Sequence, residues 1–210
     1  MTHRYYEDQA LLVCEKPRGV ISQGGAGDLV GQLAALCGQP IYPVHRLDRE
    51  VGGVMVFAKT PEAAAALGAP GMLRKEYEAV VHGAPKEPEG RLFDLLYHDP
   101  RQNKTFAVSR PRRGVREAAL RYRLLAALPG ESPLSLLHIV LETGRTHQIR
   151  AQFSARRMPL CGDRRYGARD EYRCIALHSV SLTFSHPVSG DIMVFESPLP
   201  PIPPFSLFKS

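Results

Sequence analysis

The chain predicts an α+β domain on a mostly antiparallel mixed sheet with flanking helices, and three observations carry that prediction. Short apolar runs of strand length recur along it, among them ALLVCE, VMVFAK and LSLLHIVLETG. Helical spacing or helix-end chemistry marks only three windows, 29–38, 61–68 and 146–157. Helices this few do not alternate with the strands as a doubly wound parallel sheet requires.

Taken in order, ALLVCE (10–15) reads as a strand stopped by Lys16-Pro17, and LVGQLAALCG (29–38) as a helix ended by Gly38. VMVFAK (54–59) is a second buried strand. PEAAAALG (61–68) has Thr60 as N-cap, proline at the first helical position and Gly68 at its end. KEYEAVVHG (75–83), the stretch around FAVS (106–109), REAALRYRLLAAL (116–128) and LSLLHIVLETG (134–144) are strands. THQIRAQFSARR (146–157) switches to helical spacing, with Ile149 and Phe153 on one face and Arg150 beside them. IALHSVSLTF (175–184) and DIMVFES (191–197) flank a turn, HPVSG, and the proline-rich SPLPPIPPF (197–205) is expected to be extended. The absence of a convincing linker predicts one domain over 1–210, with 198–210 as its tail.

Composition narrows the class. At 210 residues, 44% hydrophobic and 23% charged, the chain has the makings of a folded enzyme-sized domain. No run approaches the roughly 18 apolar residues of a membrane helix, and MTHRYYEDQ lacks the layout of a secretion signal, so the cytoplasm is the expected address. Cys14, Cys37, Cys161 and Cys174 form no CxxC pair and predict neither a zinc ribbon nor a disulfide framework. The net charge of +6 is unevenly placed. Residues 101–123 hold eight Lys or Arg against one acid, and 145–173 hold eight Arg against three. Such segregation points to a polyanion, and arginine's planar fork suits phosphate oxygens and base edges.

Several chemistries lack their signatures. There is no GxSxG nucleophile elbow, no GxxxxGK[ST] phosphate loop and no HxxxH or HxH pair. A metal set of His45, Asp48, His147 and His178 would bring a divalent ion among cationic neighbours, which opposes it. By itself VHRLDREVGG (44–53) is a polar turn between Pro43 and an apolar strand, and Asp48 there is as readily a turn residue as a catalyst.

Four motifs in order change that weighting: HRLDREVGGVMVFAK, KEYEAVVHG, TGRTHQIRAQFSARRMPLCGDRRYG and ALHSVSLTFSHPVSG. Together they resemble the RluA-type family of RNA pseudouridine synthases. The likeness extends to YEDQALLVCEKPRGV, REAALRYRLL and ESPLP, and so to nearly the whole chain. It departs from the family at Val51-Gly52, where a threonine and serine are common. The resemblance implies the pseudouridine synthase fold and a cofactor-free, metal-free isomerisation of uridine in structured ribosomal or transfer RNA by a monomer. The reaction breaks the bond from ribose C1′ to uracil N1, turns the base and rejoins it through C5. It needs a carboxylate, acting by covalent attack or as a base, and no redox partner.

Residue by residue, the resemblance implies Asp48 as that carboxylate, Arg150 as its basic partner and Tyr77 as the ring that stacks on the target base. Arg46 inserts towards the gap left when the base is extruded. His45, Thr146 and His147 support loop geometry, with His147 also at the RNA. Backbone contacts fall to Lys104, Arg110, Arg112, Arg113 and Arg116 around an expected hairpin, RPRRG, and to Arg156, Arg157, Arg164 and Arg165 beside the helix of Arg150. The first family strand begins by about residue 10, which leaves no room for a preceding S4-type RNA-binding domain. A fold kept as an RNA-binding or chaperone protein with catalysis lost is the competing expectation, and a metal-dependent nuclease a distant third.

Overall fold

The structure, a computed structural model, describes residues 2–208. They form two compact units: residues up to 76 with 178–198, and 77–177 with 199 onward. No helix among them is long and apolar enough to cross a membrane.

The first unit orders its strands β1 (Arg4–Glu7), β2 (Leu11–Lys16), β4 (Gly52–Ala58) and β10 (Leu177–Ser185). Two more pair at its margins, β3 (Tyr42–Pro43) on β4 and β11 (Ile192–Glu196) on β10. β2 runs antiparallel to both neighbours, whereas β4 and β10 pair parallel through His178 opposite Gly52 and Ser179 opposite Gly53. All seven residues of β4 are buried, which is why VMVFA reads as a continuous apolar run rather than an alternating one. Leu11, Val13, Val54, Val56, Leu67, Leu182 and Phe184 make the core. Helix α1 (Leu29–Cys37) starts at Asp28, whose carboxylate accepts from the Gly31 amide, and stops at Gly38 in the left-handed region. Helix α2 (Pro61–Gly68) starts as its sequence predicts, the Thr60 hydroxyl accepting from the Ala63 amide.

The second unit contains Tyr77–His82 of β5 (Arg74–His82), β6 (Glu89–Asp99), β7 (Lys104–Val108), β8 (Val115–Leu128) and β9 (Leu134–Leu141), ordered β5-β9-β8-β6-β7. Helix α3 (Gln148–Ala155) buries Ile149 and Phe153, as their spacing predicts. Two expectations are corrected here. RPRRG is not a hairpin: β7 and β8 lie on opposite sides of β6 and both pair antiparallel with it, so residues 109–114 cross over. β6, an 11-residue strand, takes the centre position that a β7–β8 hairpin would have closed. Nor is the tail simply extended. Phe205 is buried with Val80, Leu134, Leu136, Cys161 and Ala176, and Phe205–Phe208 closes as a short 3-10 turn. Burying that ring removes enough apolar surface to contribute about 2 kcal/mol, which outweighs the tail's preference for extension.

The candidate active site

Asp48 sits half-buried in the turn that enters β4, its carbonyl accepting from the Val51 amide at 3.0 Å. Both chain neighbours are tied down. The Ser22 hydroxyl donates to the Leu47 carbonyl at 2.8 Å and accepts from the Leu47 amide at 3.1 Å. The Arg49 carbonyl accepts from the Gly19 amide at 2.8 Å, and Arg49 Nε donates to the Gly19 carbonyl at 3.1 Å. Upstream, His45 Nε2 accepts from the Val56 amide at 3.2 Å. Burial pushes the His45 imidazole down to about 3, with the Lys75 charge adding to it, so the ring stays a neutral acceptor. His45 therefore anchors the loop to β4, the support expected of it. Arg46 is exposed on the same loop.

Lys16, at the end of β2, is wholly buried. Its Nζ donates to the carbonyls of Val20 at 2.7 Å, Pro17 at 3.0 Å and Arg49 at 3.2 Å, joining the Lys16-Pro17 turn to the Asp48 turn. Desolvation brings the ammonium down to about 8, while the carboxylates of Asp48 and Glu50 favour its charged form. From sequence, Lys16 stands only as a strand stop within the opening segment of the family likeness. The signal was a lysine at the end of the apolar, strand-length run ALLVCE, whose residues 11 to 14 the structure buries.

Val51 is buried, and the two glycines after it have a packing reason. A Cβ on Gly52 would come within 3.1 Å of Arg18 Cγ. On Gly53, where φ is +121°, it would lie 2.2 Å from the Ser179 carbonyl oxygen. Close approach of β10 therefore demands glycine at 53.

In the second unit Tyr77 is 5% exposed on β5. Arg150 is buried on the first turn of α3, and its guanidinium donates side-on to Asp163, Nε to Oδ2 at 2.6 Å and Nη2 to Oδ1 at 3.0 Å. The Tyr166 ring lies under it, 4.9 Å from Cζ to centroid. The start of α3 is held by Gln148, whose Oε1 accepts from the Thr143 hydroxyl and the Arg145 amide and whose Nε2 donates to the Ala119 carbonyl. His147 takes a left-handed backbone with φ 51°, and its Nδ1 lies 3.0 Å from the Tyr166 hydroxyl.

The expected RNA-contacting cations divide by burial. Arg110, Arg112, Arg113, Arg116, Arg157 and Arg164 are exposed. Arg112 lies over the Tyr97 ring at 4.6 Å, and Lys104 over the rings of Phe106 and Tyr166. Arg165 is exposed but donates to the Gln102 and Asn103 carbonyls. Arg156 is half-buried and donates to both Asp94 oxygens, bracing α3 against β6. Sequence reasoning passed over Asp163 and Tyr166, although both stand in GDRRYG; a lone carboxylate among arginines was the available signal.

Among the described residues, one group of metal-ligand type converges: His82, Cys161 and Asp170, with donor atoms within 4.8 Å. It is not the set considered from the sequence. Asp170 already accepts from the Gly162 and Tyr172 amides and lies 2.5 Å from His82 Nε2. Burial pushes the Cys161 thiol up to about 12. The arrangement anchors the 162–172 loop with a neutral thiol.

The class of protein follows from comparison with known families. The RNA pseudouridylate synthase model matches residues 10–155, and the chain belongs to that family, whose members isomerise uridine in RNA. Its relatives are of the RluA type that the four motifs resemble. It is 33% identical over 93% of its length to the uncharacterised RNA pseudouridine synthase YlyB of Bacillus subtilis, covering 68% of that protein. It is 35% identical to ribosomal large subunit pseudouridine synthase D of Xanthomonas campestris, covering 93% of this chain and 65% of that one. The chain thus spans about two thirds of the length of these curated relatives. The solved structure of human RNA pseudouridylate synthase domain containing 1 superposes with a TM-score of 0.80 at 22% identity, covering 97% of this chain and 85% of that one. The likeness confirms the α+β fold.

Proposed function

We propose that the protein isomerises a specific uridine in structured RNA to pseudouridine, with Asp48 as its catalytic carboxylate. The observation that carries the proposal is the turn holding Asp48. Leu47 and Arg49 are hydrogen-bonded on either side of it, and the buried Lys16 ammonium closes the loop from below. Backbone held this way fixes where the carboxylate starts, whether it attacks the sugar, attacks the base or removes a sugar proton. The roles expected of Tyr77 and Arg150 belong to the same proposal. So do RNA contacts from Arg46, Lys104, His147 and the arginines of 110–116 and 156–165. Relatives named for the large ribosomal subunit favour ribosomal over transfer RNA as substrate. The proposed working form is a cytoplasmic monomer needing no cofactor or metal.

Rejoining the base through C5 releases the C5 hydrogen, so tritium release from RNA labelled at uridine C5 reads the reaction directly. Asp48→Asn should reduce release on the order of 10³-fold or more while leaving RNA affinity within about twofold. Mapping pseudouridine in RNA from a deletion strain, complemented with either form, would name the site. Wild-type protein that binds RNA and releases no tritium from any pool would instead favour the RNA-binding alternative.

A further inference from the structure

We infer that Asp163 and Tyr166 are positioning residues that lock the guanidinium of Arg150 in one orientation. The inference rests on the reading of Arg150 as part of the isomerisation machinery and adds what holds that cation in place. Two residues act on one planar group. Asp163, 1% exposed at the head of the Arg164–Tyr166 turn, takes the Nε and Nη2 edge in a bidentate pair. Tyr166, 5% exposed, covers one face.

The clamp is itself fixed. The Tyr166 hydroxyl accepts from the Thr105 amide at 2.7 Å and lies 3.0 Å from His147 Nδ1, while its carbonyl accepts from the Ser154 hydroxyl at 2.6 Å. Each end of the turn is thereby joined to α3, the Asp163 end through Arg150 and the Tyr166 end through Ser154. Stability alone is a weak reason for this arrangement, since a buried ion pair generally does no better than well-packed apolar side chains. Orientation is the stronger one. A free arginine carries about 2 kcal/mol of rotamer entropy, and the bidentate edge with a stacked face removes that freedom before substrate arrives.

The test is a kinetic split on the full chain by tritium release. Asp163→Asn keeps the shape and removes the charge, and Tyr166→Leu keeps apolar bulk and removes the ring. Each should lower kcat about 10- to 100-fold with KM for RNA within twofold. Combined with Arg150→Met, neither should lower kcat further, because both act through that cation. If Asp163→Asn does not fold, Tyr166→Leu and its pairing with Arg150→Met carry the same comparison. Unchanged kcat with a lowered melting temperature would make the clamp structural only and overturn the inference, as would a rise in KM alone. Arg150→Lys separates the two failures. If it is fully active, the reading of Arg150 is wrong; if it is impaired while the clamp variants are not, only the clamp is wrong.

Discussion

At the scale of single residues, Lys16, in the opening segment that shares the family likeness, is the most informative side chain beside the Asp48 turn. It holds three carbonyls with three protons, and a neutral amine has only two to give. With the ammonium brought down to about 8, deprotonation should loosen the Asp48 turn and produce an alkaline limb in kcat near pH 8. The charges reaching Lys16 are Asp48, Glu50 and Glu15, which favour its protonated form, and Arg18, which opposes it. Stability runs the other way. The folded value lies below the 10.5 of an unfolded lysine, so between about pH 8 and 10.5 this lysine binds more proton in the unfolded chain and its contribution to stability rises with pH, opposed from about pH 9 by Cys14 and Cys161, whose thiols burial pushes up from 9.0 to about 12. Lys75, also lowered by burial, adds to that rise. Between about pH 7.5 and 9, below the titration of the thiols in the unfolded chain, activity should therefore fall while the melting temperature holds or climbs. Lys16→Arg, charged throughout, should lose the limb. A limb that tracks unfolding would remove Lys16 as its source.

Among the elements, the parallel contact of β4 with β10 depends on one glycine. Gly53→Ala would place a methyl 2.2 Å from the Ser179 carbonyl oxygen at a φ of +121°, so backbone must move. A penalty of about 3 kcal/mol, or roughly 6–12 °C in Tm for a chain of this size, is expected by calorimetry. Loss of less than about 2 °C would mean β10 gives way easily. Two helices were legible where an end is written locally, Gly38 closing α1 and Thr60 with Pro61 opening α2, and α3 through the spacing of Ile149 and Phe153. β6 was not. Its buried Leu92 and Leu96 are four apart, a spacing that fits a helix as well as a strand. The path of 109–114 was illegible for a different reason, since which strand lies beside which is set by non-local pairing and RPRRG carries the same turn residues either way. At the site, motif order singled out Asp48, Tyr77 and Arg150. Asp163, Tyr166 and Lys16 escaped because their importance lies in what they touch, which no spacing records.

For the molecule as a whole, charge follows the units. The first carries eight Lys and Arg against ten acids, and the second nineteen against eleven, so a net −2 stands beside a net +8. Both arginine-rich windows fall in the second unit. RNA affinity should accordingly be dominated there by counterion release, with log Kd rising linearly in log salt. The 109–114 crossover is the sharpest place to ask, because Arg112 and Arg113 are exposed on a segment without ladder bonds and their loss leaves the sheet intact. Replacing both with alanine should weaken binding across unrelated RNAs alike and reduce the salt slope by about 1.4 to 1.8, at 0.7–0.9 per phosphate contact. The lost stacking of Arg112 on Tyr97 should lower stability by no more than about 1 kcal/mol. Filter binding between roughly 50 and 200 mM salt makes the comparison. Asp48→Asn is the control, since a carboxylate that reacts without touching phosphate changes the rate and leaves the slope alone. If the double arginine variant shows the parental slope, the crossover lies outside the interface and the phosphate contacts belong to the cations around α3.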